Sequence, residues 1–270
     1  MKIEKNKLIL ILFSIFVLFI VYIKVDLYRP SFSVKNLNLY ESNYVSTVEN
    51  NKFIFIKSKY NPKVDTAIVF YPSSFVDEKS YLPLLFELAK DGYGVYILKS
   101  FSNISFLNKN LANSVIKKGI YEKYVLMGHS FGGTDLLNYL SKQNKFSDKI
   151  INVVLLAPRS LGNYIFDSVN DESHKNNFRM LSIVGSKDGI VDLKKYEVDK
   201  SKLPSNTKYV TINGGNHSNF GNYGKQFGDL KSDISLEKQQ FIVLNEIKKF
   251  LNESNWIGFI FLLEFKYIFQ

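Results

Sequence analysis

The chain has 270 residues, 46% of them hydrophobic, and 35 Lys and Arg against 25 Asp and Glu give a formal net charge of +10. It contains no Cys, which excludes disulfides, Cys-ligated zinc, iron–sulfur clusters, a thiol nucleophile and a lipid-modified cysteine, while the apolar content argues against wholesale disorder. Only Arg29, Arg159 and Arg179 are arginines and the lysines are scattered, so the charge does not point to a nucleic-acid partner.

Residues 1–24 stand apart from the rest. Lys2, Lys5 and Lys7 precede an uncharged run from Leu8 to Ile23, closed by Lys24. Such a run reaches about 24 Å as a helix, slightly short of a ~30 Å hydrocarbon core, and snorkelling of Lys7 and Lys24 extends it. A cleaved signal peptide needs small residues just after the apolar run, and Val21-Tyr22-Ile23-Lys24-Val25 supplies none. An uncleaved N-terminal transmembrane signal anchor is therefore expected over 1–24, touching the lipid bilayer through 8–23. The excess of positive charge before the run puts the N-terminus in the cytoplasm and the bulk of the chain outside, membrane-anchored and extracytoplasmic.

Residues 25–50 read as an extended juxtamembrane segment. Short apolar runs then alternate with amphipathic ones. Strands are predicted over 53–56, 67–71, 93–98, 124–127, 151–156, 180–184 and 209–212. Helices are predicted over 81–90, 111–118, 131–142 and 236–251. Apolar strands alternating with helices imply a mostly parallel sheet covered on both faces, a single α/β domain over 51–252. The tail 253–270 is strongly apolar from Trp256 to Phe269, and at fourteen residues with Glu264 and Lys266 inside, that stretch is not expected to span a bilayer. It fits a helix or a strand, packed on the domain or lying at an interface.

The strongest local signal is Gly128-His129-Ser130-Phe131-Gly132-Gly133, a G-x-S-x-G pattern with a strand before it and a helix after it. A nucleophile elbow requires that context: the turn is so sharp that residues two before and two after the Ser must lack bulk. The helix N-terminus beyond Ser130 offers free N–H groups to a developing oxyanion. A Ser hydroxyl needs a base, and the chain has only His129, His174 and His217. His129 adjoins the Ser on the elbow, where its ring points away and supports the turn. His174 lies in a polar loop. His217 follows the last strand in a Gly-rich loop and is the candidate base. Asp188, in the loop after strand 180–184, is the candidate orienting carboxylate, with Gly189 turning the backbone; Asp192 is the reserve. For the oxyanion hole the N–H groups of Phe131 and of Ser74, in the loop after strand 67–71, are chosen, with Ser73 as the neighbouring alternative.

Three stretches resemble one family. Val69-Phe70-Tyr71-Pro72-Ser73-Ser74-Phe75-Val76-Asp77 with Tyr81, the elbow Gly128–Gly133, and Gly214-Gly215-Asn216-His217-Ser218-Asn219-Phe220-Gly221-Asn222-Tyr223-Gly224 continuing through Gln226 and Gly228-Asp229 are similar to the α/β-hydrolases. The likeness is to the small bacterial fold-5 group, loosely akin to dienelactone hydrolase. The resemblance covers about Ala67 to Leu251. It implies the α/β-hydrolase fold and Ser130, Asp188 and His217 as a triad. Gly is usual in that group where this chain has Ser73 and Ser74. The expected activity is hydrolysis of an ester or related acyl bond through an acyl-enzyme, on a small-molecule substrate, with no metal and no cofactor. Acyl transfer with the same triad, or a non-catalytic anchored binding protein, are the alternatives. About twenty residues separate Ala157 from Met180, so a minimal lid and an open site are expected; oligomeric state is not readable.

Overall fold

The computed structural model describes residues 5–25, 28–31, 44–61, 65–99, 111–141, 148–162 and 178–268, with the side chains of 5–6, 19–25, 111 and 254–268 outside the description. Helix α1 runs Lys5–Val25. The strands are β1 (Val45–Glu49), β2 (Phe53–Ser58), β3 (Thr66–Tyr71), β4 (Gly94–Leu98), β5 (Lys123–His129), β6 (Ile150–Leu156), β7 (Arg179–Gly185) and β8 (Lys208–Ile212). The helices that follow α1 are α2 (Leu82–Lys90), α3 (Leu111–Ile116), α4 (Phe131–Ser141), α5 (Leu193–Asp199) and α6 (Leu236–Ile268).

The strands form one sheet in the order β1-β2-β4-β3-β5-β6-β7-β8. β2 pairs antiparallel with both β1 and β4, and every pair from β4 to β8 is parallel. All six residues of β3 and all five of β4 are buried. Continuous Val, Ile, Leu and Phe runs behave this way when helices cover both faces of a parallel sheet. After β3 the chain moves to one side to make β4, then crosses back to make β5 on the other side. That reversal opens a crevice at the carboxyl ends of β3 and β5, where open α/β sheets bind their ligands.

The predicted strands and helices lie where expected, with three differences. β1 lies in the stretch expected to be juxtamembrane, and the domain boundary expected at residue 51 falls inside the β1–β2 hairpin. Asn50 makes that turn, its Oδ1 accepting from Lys52 N–H at 2.8 Å and Phe53 N–H at 3.0 Å. Ser46, Thr47 and Glu49 dilute the apolar alternation, and only Val45 of the strand is buried, so β1 carries little hydrophobic signal. α5 was missed because it is short and Lys-rich. The predicted closing helix 236–251 continues as one helix through the apolar tail to Ile268.

Among the described residues no helix is long and apolar enough to cross a membrane. Of the apolar run predicted to span, residues 19–23 have side chains outside the description; Leu8 to Leu18 are exposed. His174 and most of the expected lid segment, residues 163–177, also lie outside the described residues.

Candidate active site

β5 delivers Ser130 to the carboxyl edge of the sheet in a left-handed conformation, φ 54°. Phe75 after β3 (φ 64°) and Ala157 after β6 (φ 42°) share it, and these three are the only non-glycine residues with positive φ among those described. Each sits just past the end of one of three adjacent strands. Strain of this kind costs on the order of 1–3 kcal/mol per residue and persists where surrounding contacts enforce it. The elbow is enforced by backbone contacts: Ser130 N–H donates to Leu156 O at 2.9 Å, and Ser130 O accepts from Arg159 N–H at 3.0 Å and Thr134 N–H at 3.2 Å. A Cβ on Gly132 would stand 2.2 Å from Tyr71 O, and one on Gly128 2.7 Å from Gly132 O. Both glycines are thus required, as the elbow pattern predicted, and Gly132 lets α4 approach the end of β3.

Asp188 and His217 are brought together. His217 Nδ1 lies 2.8 Å from Asp188 Oδ2. Asp188 Oδ1 accepts from Ile190 N–H at 2.9 Å and Val191 N–H at 2.8 Å. The carboxylate therefore has a full set of donors although only 4% of the residue is exposed. With Nδ1–H donating to the carboxylate, Nε2 is the ring's basic atom. Gly189 is needed for a close approach: its lack of a Cβ admits Gly228 O and Leu230 N, each 2.7 Å from where that Cβ would stand. Asp192 does not face His217: it is exposed and caps α5, accepting from Lys195 N–H at 3.0 Å.

His217 Nε2 and Ser130 Oγ are both buried and neither has a hydrogen-bond partner. Hydrogen bonds of this kind are commonly long or misaligned before substrate binds. Ser130 is 1% and His217 0% exposed, while Phe131 next to the serine is exposed. His129 packs against His217, ring centroids 4.7 Å apart, and Phe220 against His129 at 5.6 Å.

His129 supports the elbow as expected. Its Nδ1 is 2.9 Å from Tyr81 Oη, and Tyr81 Oη accepts from Ser73 N–H at 3.2 Å. Full burial, reinforced by the neighbouring His217, holds the His129 pKa well below that of an ordinary histidine. Tyr81 packs on Phe70 of β3 at 4.7 Å, so a run of rings leads from the core to His217. Because Tyr81 engages the Ser73 N–H, the alternative oxyanion donor is already committed. Ser74 lies one residue on, buried in the same loop, and Phe131 N–H opens α4, where the first helical N–H groups have no intrahelical acceptor.

Two further side chains, Asp229 and Gln239, support the site in roles that their sequence positions do not announce. Asp229 is buried, and its Oδ1 accepts from Gly189 N–H at 3.0 Å, Leu230 N–H at 2.9 Å and His217 N–H at 3.3 Å. Its Oδ2 accepts from Ser218 N–H at 2.8 Å and Ser218 Oγ–H at 2.5 Å. One carboxylate thus ties the Asp188 loop to the His217 loop. Gln239, on α6 and fully buried, accepts from Asn216 N–H at 3.0 Å and donates to Asn216 O at 2.8 Å. The Gly228-Asp229 pair was visible in sequence, but nothing in its spacing says that its partners are backbone amides.

The sequence matches the Alpha/beta hydrolase family over residues 67–241. The chain belongs to the α/β-hydrolases. Three solved structures carry the same fold. A predicted CIB-like hydrolase from Thermoplasma acidophilum is 15% identical, with 76% of this chain and 99% of that chain covered and a TM-score of 0.54. Thermogutta terrifontis esterase 2, phosphoramylated by tabun, is 15% identical over 79% of this chain and 96% of that one, TM-score 0.52. A soluble variant of monoglyceride lipase from Saccharomyces cerevisiae, in complex with a substrate analog, is 15% identical over 79% and 97%, TM-score 0.52. At this identity the likeness establishes the α/β-hydrolase fold. No curated protein sequence matches the chain.

Proposed function

We propose that this α/β-hydrolase is a serine esterase, cleaving an ester or related acyl bond of a small-molecule substrate. The observation that carries the proposal is the buried Asp188–His217 pair at 2.8 Å beside a Ser held at φ 54° at the crevice of the sheet. Ser130 Oγ attacks the carbonyl carbon while His217 Nε2 takes its proton. Asp188 keeps the proton of the neutral ring on Nδ1 and stabilises the imidazolium that forms. The Phe131 and Ser74 N–H groups receive the oxyanion. Nε2–H then protonates the leaving alkoxide, and the acyl-Ser130 ester is hydrolysed by a water that His217 deprotonates. An esterase and a lipase among the solved structures of like fold agree with this reading. A binding module has no use for a carboxylate so fully satisfied and turned onto a histidine, so the catalytic reading is preferred to a non-catalytic one. Turnover of a panel of p-nitrophenyl esters by the full chain, beside Ser130→Ala, tests it. Wild-type turnover lost in the variant supports hydrolysis, and turnover equal in the two proteins refutes it.

The proposal extends to α1. Its exposed side chains from Leu8 to Leu18 are apolar apart from Ser14, a surface that water does not stabilise. We read α1 as the membrane anchor, with the hydrolase domain extracytoplasmic.

A further inference from the structure

Residues 28–31 lie between α1 and β1 yet touch two loops of the candidate site. Tyr28 forms a parallel bridge with Val76. Its N–H donates to Phe75 O at 2.8 Å, and its carbonyl accepts from Asp77 N–H at 2.9 Å. These bonds grip the main chain on both sides of Val76, immediately after the strained Phe75 and two residues from Ser74. The other side of the same segment holds the base loop. Tyr28 Oη accepts from Phe227 N–H at 2.9 Å, and its ring lies 5.7 Å from that of Tyr223. Ser31 N–H donates to Asn222 O at 2.9 Å, and Ser31 Oγ–H to Asn222 Oδ1 at 2.6 Å. Asn222 N–H reaches back to Ser80 O at 2.8 Å. A left-handed non-glycine residue needs contacts that over-determine it, and Tyr28 supplies one on Phe75 itself and one two residues on, at Asp77, from a segment far away in sequence.

We infer that Tyr28 is a positioning residue of the hydrolase site: the segment following α1 straps the loop bearing Ser74 to the loop bearing His217 and so fixes the oxyanion hole relative to the base. The inference rests on the esterase reading for its catalytic consequence, but not for the strap itself.

The test uses the full chain with Tyr28→Ala, Tyr28→Phe and Ser31→Ala. Both Tyr28 variants keep the main-chain bonds to the Ser74 loop; Tyr28→Phe loses only the Phe227 N–H bond, whereas Tyr28→Ala also loses the ring packed on Tyr223 and so frees the segment from the base loop. Two readouts are taken together: kcat and KM on a p-nitrophenyl ester, and hydrogen exchange of the Asp77 amide, whose acceptor is the Tyr28 carbonyl. Tyr28→Ala is expected to lower kcat about tenfold with KM changed less than about twofold, through the loss of one hydrogen bond and of the ring contact that anchor the segment to the base loop. Asp77 exchange should quicken about tenfold or more while amides in β5 stay protected. Tyr28→Phe should recover kcat to within about threefold of wild type, and Ser31→Ala should fall between the two. Unchanged kcat and unchanged Asp77 exchange in Tyr28→Ala overturn the inference. So does a fall in kcat accompanied by equal loss of protection in β5, which makes the residue a general stabiliser. If the wild type turns over no ester, the esterase reading fails, and the Asp77 exchange still decides whether Tyr28 holds the loop.

Discussion

A histidine and a carboxylate can be buried together only if the lone pairs and protons left over find partners. Asp188 meets that condition with two backbone N–H groups on one oxygen and His217 on the other. Asp188→Asn puts an amide where the Nδ1–H acceptor stood and favours the wrong tautomer of His217. We expect kcat to fall about 10³–10⁴-fold with the fold retained; ester kinetics with far-UV circular dichroism check this, and a loss under tenfold would move the orienting role elsewhere. His129 gives a prediction about stability. Its native pKa is held below the ordinary 6.5, chiefly by burial. Below that pH the unfolded chain binds a proton that the native state refuses, so stability falls as pH falls, by up to about 1.4 kcal/mol per pH unit, until the native ring is protonated. His129→Gln removes this proton uptake. Denaturant unfolding between pH 6.5 and 4.5 should show the wild type losing more stability than the variant; parallel curves would contradict the assignment. Ser130, Asp188 and His217 were legible in sequence because each stands at a strand end in a loop whose chemistry has a recognisable letter pattern. Asp229 and Tyr81 stand in the stretches that resemble the family, but their roles were not legible, because most of their partners are the main-chain amides of Gly189, His217, Ser218, Leu230 and Ser73, which no residue type announces.

At the scale of elements, the site is assembled by short approaches between backbones. β3 and α4 meet at Gly132, β7 and the His217 loop at Gly185, where an added Cβ would stand 2.3 Å from Gly215 O. The base loop is held from behind by α6 through Gln239. Gln239→Ala strands the Asn216 N–H and carbonyl in a buried position, which should cost about 2 kcal/mol or about 4–8 °C in Tm. Because Asn216 adjoins His217, kcat should fall as well, and Gln239→Glu, which keeps the acceptor, should lie between. Thermal unfolding and ester kinetics measure both; a variant with wild-type Tm would show that the pair is not structural. The parallel strands and α2, α4 and α6 were readable because buried strands are apolar throughout and amphipathic helices repeat every three to four residues. β1 and α5 were not: β1 is an edge strand half open to solvent, and α5 depends on the Asp192 cap rather than an apolar face.

For the whole molecule, the charge of +10 is not gathered in the candidate site, which among the described residues is built around two buried carboxylates, Asp188 and Asp229, and two histidines. The more consequential feature of the chain is its N-terminal order: an apolar helix, then a four-residue segment hydrogen-bonded to both loops of the site, then the sheet. If α1 is an anchor, the full chain should remain with membranes through alkaline carbonate extraction and be released by detergent. A chain lacking residues 1–25 should appear in the soluble fraction and keep its ester turnover, since residues 28–31 remain. Recovery of the full chain in the aqueous phase without detergent would remove the anchor from the account.

The central claim is that Ser130 is a nucleophile activated by His217. It is tested most directly by treating the full chain with a fluorophosphonate and locating the adduct by mass spectrometry. A single phosphonyl group on Ser130, absent from Ser130→Ala and formed at least about 10²-fold more slowly in His217→Ala, is the predicted result. No adduct, or one on another residue, would contradict it.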